Sequence, residues 1–309
     1  MKILLTFPGQ GAQVPQMLHQ LPANEMTQQL LSQASAVLGQ DVLELDSAEA
    51  LEKTRAVQLC LLISGVAYAR QLQQQGISAD FVSGLSIGAF PAAVIAGALT
   101  FPDAVRLVAL RGQLMEQAYP TGYGLAAILG LPLRQLEMLI AQVNSAALPV
   151  YLANINAEEQ MVIAGSEAAM AQVMALAKAG GAAKVQRLAV SVPSHCALLI
   201  PAAEKLAQAI KQVPIARPQI AYLSGSSGRV LWQPERIADD LAFNMARVVR
   251  WHEAMVAAYE REVRLAIEMP PGAVLTGLSK KVMEQGEALS LGQQGLAAVC
   301  GIVAKYRRS

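Results

Sequence analysis

Short β-type segments alternate with long helical segments along most of this 309-residue chain. The helical segments are rich in Ala, Leu and Gln, and in two of them, 56–75 and 103–118, apolar residues recur at helical spacing. This alternation is typical of an α/β fold, in which each helix covers one face of a sheet. The predicted strands are Ile3 to Phe7, Phe81 to Ser83, Val150 to Ala153, Met161 to Ala164, Lys184 to Val190, Gln219 to Leu223 and Arg264 to Glu268.

One region, from about residue 121 to 188, departs from the long-helix pattern. Its order is strand, helix, strand, strand, helix, strand, which is that of the split βαβ, or ferredoxin-like, unit. We predict a small inserted subdomain over 122–189, entered through the Gly- and Pro-containing stretch 119–124, and a core formed by 1–121 and 190–309. The six predicted elements of the insertion are 124–129, 133–144, 150–153, 161–164, 167–179 and 184–188.

Composition excludes several classes of protein. Hydrophobic residues make up 54% of the chain and charged residues 15%, which excludes a disordered chain. The 24 basic and 23 acidic residues give no electrostatic footprint for nucleic acid or an anionic membrane. Three cysteines without paired spacing indicate neither a disulfide framework nor a metal site. They fit a reducing cytoplasm, where we expect the protein. No apolar stretch reaches the roughly 18 residues that span a bilayer, so we expect a soluble protein.

The segment Gly84-Leu85-Ser86-Ile87-Gly88 lies between a predicted strand and a predicted helix. The pattern G-x-S-x-G in this context is typical of a nucleophile elbow, where glycines permit a tight turn that raises the serine hydroxyl above the sheet. Ser86 is therefore a candidate nucleophile. The alternative is that Ser86 only caps the following helix.

A serine nucleophile needs a base, and the chain has three histidines, His19, His195 and His252. His195 follows a strand-like segment and a turn and precedes a helix predicted over 198–212, which is where an open α/β sheet presents site residues. It is the candidate base, with a capping or structural role as the alternative. We assign His19 and His252 to surface or packing roles. Cys196 is predicted to be a buried thiol and not a rival nucleophile.

Acyl transfer through a serine also needs N–H donors for the oxyanion of the transition state. The amide of Ile87, directly after Ser86, is one candidate. The glycine-flanked loop 8–13, which follows the first strand, is the candidate source of the second. A dinucleotide-binding loop is the competing interpretation, although Val14 stands where the G-x-G-x-x-G pattern needs its third glycine.

Arg111 is predicted on the apolar stripe of the helix over 103–118. A guanidinium there needs a carboxylate partner, either from the protein or from a ligand, because an unpaired buried charge has a large desolvation cost. For an arginine in this position an internal ion pair is the commoner outcome. Its neighbours at three and four residues are Leu107, Val108, Leu114 and Met115.

Together these residues resemble the malonyl-CoA:acyl carrier protein transacylases. The resemblance implies an α/β-hydrolase-like core with a ferredoxin-like insertion, and no permanently bound cofactor. It also implies malonyl-CoA as the substrate and the phosphopantetheine-type arm of a carrier protein as the acceptor. The ordered segments that carry it, over nearly the whole chain, are FPGQGAQ at 7–13, GLSIG at 84–88, DAVRLVALRG at 103–112, NIN at 154–156, VIAG at 162–165, SVPSHC at 191–196 and PGAVLTGL at 271–278.

The same resemblance implies a role for individual residues. One arginine would grip the malonyl carboxylate, and one backbone carbonyl, at a position occupied by glutamine in the fatty-acid enzymes, would orient the histidine. The implied residues are the nucleophile Ser86, the base His195, the oxyanion-hole amides of Gln10 and Ile87, the substrate-binding Arg111 and Asn156, and the carbonyl of Arg250.

One departure narrows the resemblance. Leu85 stands where the fatty-acid enzymes usually have histidine, and with the following segment 89–93 it looks more like the transacylase (epsilon) subunit of bacterial malonate decarboxylase. We therefore expect the carrier subunit of that complex as the acceptor, recognised by exposed cations such as Lys184, Lys280 and Lys281. A fatty-acid or polyketide malonyl-CoA:acyl carrier protein transacylase is the alternative. Two further hypotheses are an acyl-CoA thioesterase or other serine hydrolase, and a non-catalytic acyl-binding subunit.

Overall fold

A computed structural model describes residues 2–119 and 121–306 of the chain. Pro120, within the predicted entry stretch, lies outside the described residues. The strands are β1 Lys2–Phe7, β2 Phe81–Gly84, β3 Tyr123–Leu129, β4 Val150–Ala157, β5 Gln160–Ser166, β6 Lys184–Arg187, β7 Ala221–Ser224, β8 Val230–Leu231, β9 Val263–Glu268 and β10 Glu287–Ser290. The helices are α1 Glu25–Leu38, α2 Thr54–Gln74, α3 Ala89–Ile95, α4 Phe101–Ala118, α5 Leu133–Val143, α6 Glu167–Ala179, α7 Ile200–Ile210, α8 Pro234–Phe243, α9 Trp251–Glu260, α10 Val274–Lys280, α11 Leu291–Gln294 and α12 Leu296–Tyr306.

The larger of two sheets has six strands in the order β10-β9-β1-β2-β7-β8. The first five are parallel to one another, and β8 pairs with β7 in the antiparallel sense. Helices cover both faces of this sheet. Since successive side chains of a strand point to opposite sides, each strand contributes to the apolar core on both faces. Ile3, Leu5 and Phe7 of β1 join the apolar cluster on one face, whereas Leu4 joins the cluster that contains α9. The predicted α/β core is confirmed.

The second sheet has four antiparallel strands in the order β4-β5-β3-β6. Helices α5 and α6 pack on one of its faces and enclose a separate apolar core. The predicted strand and helix order of a ferredoxin-like insertion is confirmed, whereas the boundaries 1–121, 122–189 and 190–309 stay a prediction. Strand β6 ends at Arg187, three residues before the predicted end at Val190.

The two sheets meet through a backbone bridge between β4 and the segment before α9. The amide of Ile155 donates to the carbonyl of Val249 at 2.7 Å, and the amide of Val249 donates to the carbonyl of Ala153 at 2.8 Å. The face of the small sheet that α5 and α6 leave uncovered packs against the loop around Cys196. This contact places the small sheet over the carboxyl ends of β1 and β2, where a cleft remains.

Candidate active site

Ser86 lies directly after β2, at the start of a short 3₁₀ turn that leads into α3. Its φ of 57° is in the left-handed region, which is uncommon for a residue with a side chain. Both flanking glycines are required by packing. A Cβ on Gly84 would lie 1.9 Å from the backbone of Gly88, and a Cβ on Gly88 would lie 2.2 Å from the carbonyl of Phe7. The backbone therefore has the geometry of a nucleophile elbow.

The hydroxyl of Ser86 is not a helix cap. The N-cap positions of the 3₁₀ turn and of α3 are occupied by Leu85 and Gly88 and not by Ser86. The Oγ atom instead accepts a hydrogen bond from Nη2 of Arg111 at 3.2 Å. The capping alternative is wrong, and the hydroxyl is directed to the cleft.

His195 lies in the loop before α7 and is almost fully buried. Its φ of 66° is also left-handed, and its amide donates to the carbonyl of Met245 at 2.6 Å. The ring Nδ1 lies 2.8 Å from the carbonyl of Asn244. Because a carbonyl only accepts, Nδ1 carries the proton in the neutral ring, and Nε2 keeps the lone pair that a general base needs.

Burial and the neighbouring Arg111 cation lower the pKa of His195 to about 4. Both effects disfavour a second positive charge, since the ring is desolvated and a guanidinium is close. The imidazole is therefore neutral at physiological pH, which is the form that accepts a proton.

The prediction that Arg250 supplies the orienting carbonyl is wrong. The carbonyl that contacts the His195 ring belongs to Asn244, six residues earlier, in the 3₁₀ turn that follows α8. Arg250 immediately precedes α9, and its carbonyl accepts a hydrogen bond from the amide of Ala254 within that helix. The turn after α8 reaches His195 because the amide of His195 is fixed to the carbonyl of Met245.

Arg111 lies on the buried side of α4 and has no exposed surface. Its Nη1 donates to Oε1 of Gln58 at 2.7 Å, and its Nη2 donates to Oδ1 of Asn244 at 3.0 Å and to Oγ of Ser86. The Nε atom is buried and has no hydrogen-bond partner within the described residues. All three acceptors are neutral groups.

The internal ion pair that we considered the commoner outcome for Arg111 is wrong. Within 2–119 and 121–306, no carboxylate forms a salt bridge with its guanidinium. Burial lowers the pKa of Arg111 to about 9, so that the group is still a cation at neutral pH. A buried cation that only neutral dipoles solvate strongly favours an incoming anion.

The cleft between the sheets contains a cavity of about 250 Å³. Ser86, His195, Gln10, Ile87 and Asn156 all line it, so the structure brings together five of the seven predicted site residues. The guanidinium of Arg111 lies behind this wall, in contact with the lining residues Ser86 and Gln58. Apolar side chains from the small sheet, from α4 and from the loops at the cleft form much of the remaining wall, namely Leu85, Met115, Leu125, Met161, Val162 and Val190.

The loop after β1 brings Gln10 to the cavity. A Cβ on Gly9 would lie 2.7 Å from Cδ2 of Leu85 and 3.0 Å from its carbonyl, so only a glycine permits this close approach. The side chain of Gln13 closes the loop by accepting a hydrogen bond from the amide of Gly11 at 2.7 Å. The dinucleotide-loop alternative is wrong, because such a loop opens a helix directly, whereas α1 begins only at Glu25.

The other two histidines and Cys196 have no part in this arrangement. His19 contacts the carboxylate of Asp46 at 3.0 Å, and His252 lies in α9 beside a different cavity. Burial raises the pKa of Cys196 to about 12, and its thiol donates to the carbonyl of Pro193. The predicted buried thiol is confirmed.

A metal site and a membrane-spanning helix are both absent from the described ranges. No group of three or more His, Cys, Asp or Glu side chains in 2–119 and 121–306 is arranged to hold a metal ion. None of the helices in the same ranges combines the length and apolar character that crossing a bilayer requires.

Comparison with known proteins identifies the family. The acyl transferase domain model matches residues 5–309 of the chain. A malonyl CoA-acyl carrier protein transacylase from Haemophilus influenzae is 36% identical over 297 residues, which cover 94% of this chain and 95% of that relative. The chain belongs to the acyl transferase domain family. It is an acyltransferase.

Solved structures agree with this assignment. A crystal structure of FabD from Acinetobacter baumannii aligns with this acyltransferase with a TM-score of 0.93, 34% sequence identity and 99% coverage of both chains. A malonyl-transacylase in complex with a type II polyketide acyl-carrier protein aligns with a TM-score of 0.92 and 34% identity, over 99% of this chain and 100% of that one. The mixed α/β fold with two sheets is shared with these enzymes.

Three polar residues of this acyltransferase site were missed by reasoning from sequence. Gln58 and Asn244 hold Arg111, and Asn154 lines the cavity with a buried Oδ1 that has no hydrogen-bond partner in the described part of the chain. Gln58 had a usable signal, since it is a lone amide in the apolar run of α2. Asn244 had no signal in the sequence, because its contacts with Arg111 and His195 arise only where distant segments of the chain pack together.

Proposed function

We propose that this acyltransferase moves a malonyl group from malonyl-CoA to the thiol of a carrier protein's phosphopantetheine-type arm, through an ester on Ser86. One observation carries the proposal: the fully buried guanidinium of Arg111 contacts the Ser86 hydroxyl, and its hydrogen-bond partners among the described residues are all neutral. Its unmatched charge favours an acyl group that ends in a carboxylate. The names of the relatives, which are malonyl transacylases acting with acyl carrier protein, support the same substrate.

In the first half-reaction, Oγ of Ser86 attacks the thioester carbonyl carbon while its proton passes to Nε2 of His195. The new Oγ–C bond gives a tetrahedral intermediate whose negative oxygen is stabilised by the amides of Gln10 and Ile87. The C–S bond then breaks, and the coenzyme A sulfur leaves with the proton from His195. The carbonyl of Asn244 accepts the Nδ1–H of His195 throughout and stabilises the transient imidazolium.

In the second half-reaction, the thiol of the carrier arm gives its proton to His195 and attacks the ester carbonyl. The C–Oγ bond breaks, and His195 returns the proton to Ser86. The two thiols need the same position, so the free coenzyme leaves before the carrier arm enters. A ping-pong sequence follows, and the apolar wall of the cavity keeps water from the ester between the two steps.

Arg111 selects the acyl group. Its Nη2 donates to Oγ of Ser86 in the free enzyme, and a malonyl carboxylate replaces that weak contact with a charge-assisted pair. An acetyl group offers no such partner and leaves the guanidinium solvated only by neutral groups. Because Arg111 lies behind Ser86, the carboxylate reaches it only when the thioester carbonyl is already next to Oγ, which aligns the reacting atoms.

The acceptor is the finer part of the proposal. An acyl carrier protein is the first candidate, because the curated relatives are named for it. The carrier subunit of malonate decarboxylase is the second, and the presence of Leu85 in the wall of the cavity favours it. Lys184, Lys280 and Lys281 are exposed, and Nζ of Lys281 donates to Gln160, which lines the cavity. These cations suit a small acidic carrier of either kind.

Two experiments test the proposal. Mass spectrometry of the protein mixed with malonyl-CoA should find a stable malonyl adduct on Ser86, absent from Ser86→Ala. A competition assay should then offer the malonyl enzyme a fatty-acid carrier and a malonate decarboxylase carrier together, and the carrier that is loaded identifies the acceptor. Rapid release of free malonate without loading of either carrier would indicate a hydrolase instead. Full function in Ser86→Ala would indicate a non-catalytic subunit.

A further inference from the structure

The two residues that hold the buried guanidinium of Arg111 are both side-chain amides. Oε1 of Gln58 lies 2.7 Å from Nη1, and Oδ1 of Asn244 lies 3.0 Å from Nη2. Both amides are themselves buried, with Gln58 1% and Asn244 4% exposed. These positions have the distances of an ordinary arginine–carboxylate pair, but each carries a neutral oxygen.

The difference between amide and carboxylate decides how much charge the site presents. An amide oxygen accepts the hydrogen bond and fixes the guanidinium plane, but it does not cancel the positive charge. A carboxylate of the same shape would form an internal ion pair and satisfy the cation within the protein. The substrate would then have to compete with a permanent partner at the same distance. Glu and Asp are nearly isosteric with Gln and Asn, so shape does not require the amides.

We propose that Gln58 and Asn244 are specificity-determining residues, which hold Arg111 in place while leaving its charge for the carboxylate of the substrate. The inference rests on the proposed function, since it takes the acyl group to end in a free carboxylate. It extends that function by assigning acid selectivity to the neutral partners of Arg111 as well as to the cation itself. A negative charge at either position should convert the site from acid-selective to indifferent.

Gln58 provides the cleaner test of the two. Its side chain contacts Arg111 and, through Nε2, the sulfur of Met115 at 3.2 Å. Asn244 also supplies the carbonyl at His195 and donates to the carbonyl of Ser86, so that its replacement disturbs the reacting groups directly. A change confined to Gln58 therefore separates charge at Arg111 from alignment of the nucleophile and base.

The experiment compares Gln58→Glu with the matched variant Gln58→Met. Glutamate keeps the acceptor and adds a negative charge, whereas methionine keeps the approximate size and removes the acceptor without adding charge. The kcat/KM values for malonyl-CoA and acetyl-CoA are measured with one carrier. We expect the malonyl-to-acetyl ratio to fall by about 100-fold or more in Gln58→Glu, and by less than about fivefold in Gln58→Met.

A second measurement does not depend on turnover. Free malonate should raise the melting temperature of the wild type and of Gln58→Met, and the shift should be lost in Gln58→Glu because the guanidinium is already paired. Asn244→Asp should lose the malonate shift in the same way and serves as the test if Gln58→Glu does not fold.

The outcomes separate this inference from the function on which it rests. A wild type that forms no malonyl ester on Ser86 overturns the proposed function. A wild type that does form the ester, with Gln58→Glu and Gln58→Met losing selectivity equally or not at all, overturns only the assignment of charge control to the amides.

Discussion

Replacement of Arg111 by methionine should impair malonyl transfer far more than acetyl transfer. Methionine fills much of the space of the arginine stem but carries no charge, so the substrate carboxylate would enter a buried site without a partner. In the wild type the guanidinium has three neutral acceptors and no carboxylate among the described residues, so the substrate supplies the one opposite charge. The effect therefore falls on the acyl group that carries an acid.

The magnitude follows from the cost of breaking a buried ion pair. Removing one partner of such a pair costs about 3–5 kcal/mol, because the remaining charge is left uncompensated. At about 1.36 kcal/mol for each factor of ten, kcat/KM for malonyl-CoA should fall by about 150- to 5,000-fold. Acetyl transfer can lose only the hydrogen bond that Arg111 makes to Ser86 in the free enzyme, which is worth about 1 kcal/mol, so it should change by about tenfold at most.

The assay measures transfer of labelled malonyl and acetyl groups from coenzyme A to one carrier protein, with matched enzyme concentrations. Melting temperatures of the wild type and Arg111→Met serve as the control for folding. Equal losses for the two acyl groups would refute the assignment, because they would show that Arg111 supports the site without binding the carboxylate.

Three further predictions concern pH and the elbow. The folded pKa of His195, about 4, is below its ordinary value of 6.5, so the unfolded chain binds more protons between these values and the free energy of unfolding should fall as pH falls through this window. Denaturant titrations at several pH values should show that the free energy of unfolding of His195→Gln depends less steeply on pH in this window. Deprotonation of Arg111 near its pKa of about 9 should lower malonyl transfer but not acetyl transfer, which alkaline pH–rate profiles check. Gly84→Ala should abolish the elbow and cost at least about 3 kcal/mol, since its Cβ would overlap Gly88, and thermal unfolding measures the loss.

Strong periodicity made the long helices predictable from sequence. The end of strand β6 was not, because it depends on a contact that the side chain of Arg187 makes with a neighbouring strand. Helix α6 has the predicted bounds, and α2 and α4 begin two residues before the predicted starts. Strand β6 ends at Arg187, where the carbonyl of Leu125 still accepts from the amide of Leu188 at 2.9 Å and the guanidinium of Arg187 donates to the carbonyl of Tyr123 at 2.8 Å. The Tyr123 carbonyl lies beyond the last residue of β3 that pairs with β6, and a side chain there takes the place of a further backbone hydrogen bond.

In the candidate site, too, features set by a local sequence pattern were predictable, whereas contacts between distant segments were not. The G-x-S-x-G pattern and the apolar stripe of the helix over 103–118 are local signals. They predicted Ser86 and Arg111 as candidate site residues. The contacts of Arg111 were not predictable, because Gln58, although a lone amide in an apolar run, reaches it only where α2 and α4 touch. A Cβ on Gly112 would lie 2.4 Å from Cα of Arg55, one turn before Gln58. The carbonyl at His195 was misplaced because the resemblance gives a position along the chain and no information about how the turn after α8 folds.

Backbone strain at Ser86 leads to a last prediction. Four described residues other than glycine have a positive φ, and two of them are Ser86 and His195. Left-handed backbone costs about 1–2 kcal/mol for a residue with a Cβ and little for glycine. Ser86→Gly should therefore be more stable than Ser86→Ala by about 1 kcal/mol, although both lack the nucleophile.

Ser83, buried in the extended backbone of β2, is the matched control. There the order should reverse, with Ser83→Ala more stable than Ser83→Gly by about 0.5–1 kcal/mol, because glycine weakens a strand interior. Denaturant midpoints of the four variants measure both differences. If alanine were the more stable replacement at both positions, the left-handed conformation of Ser86 would not be a source of strain, and the flanking glycines would be needed for packing alone.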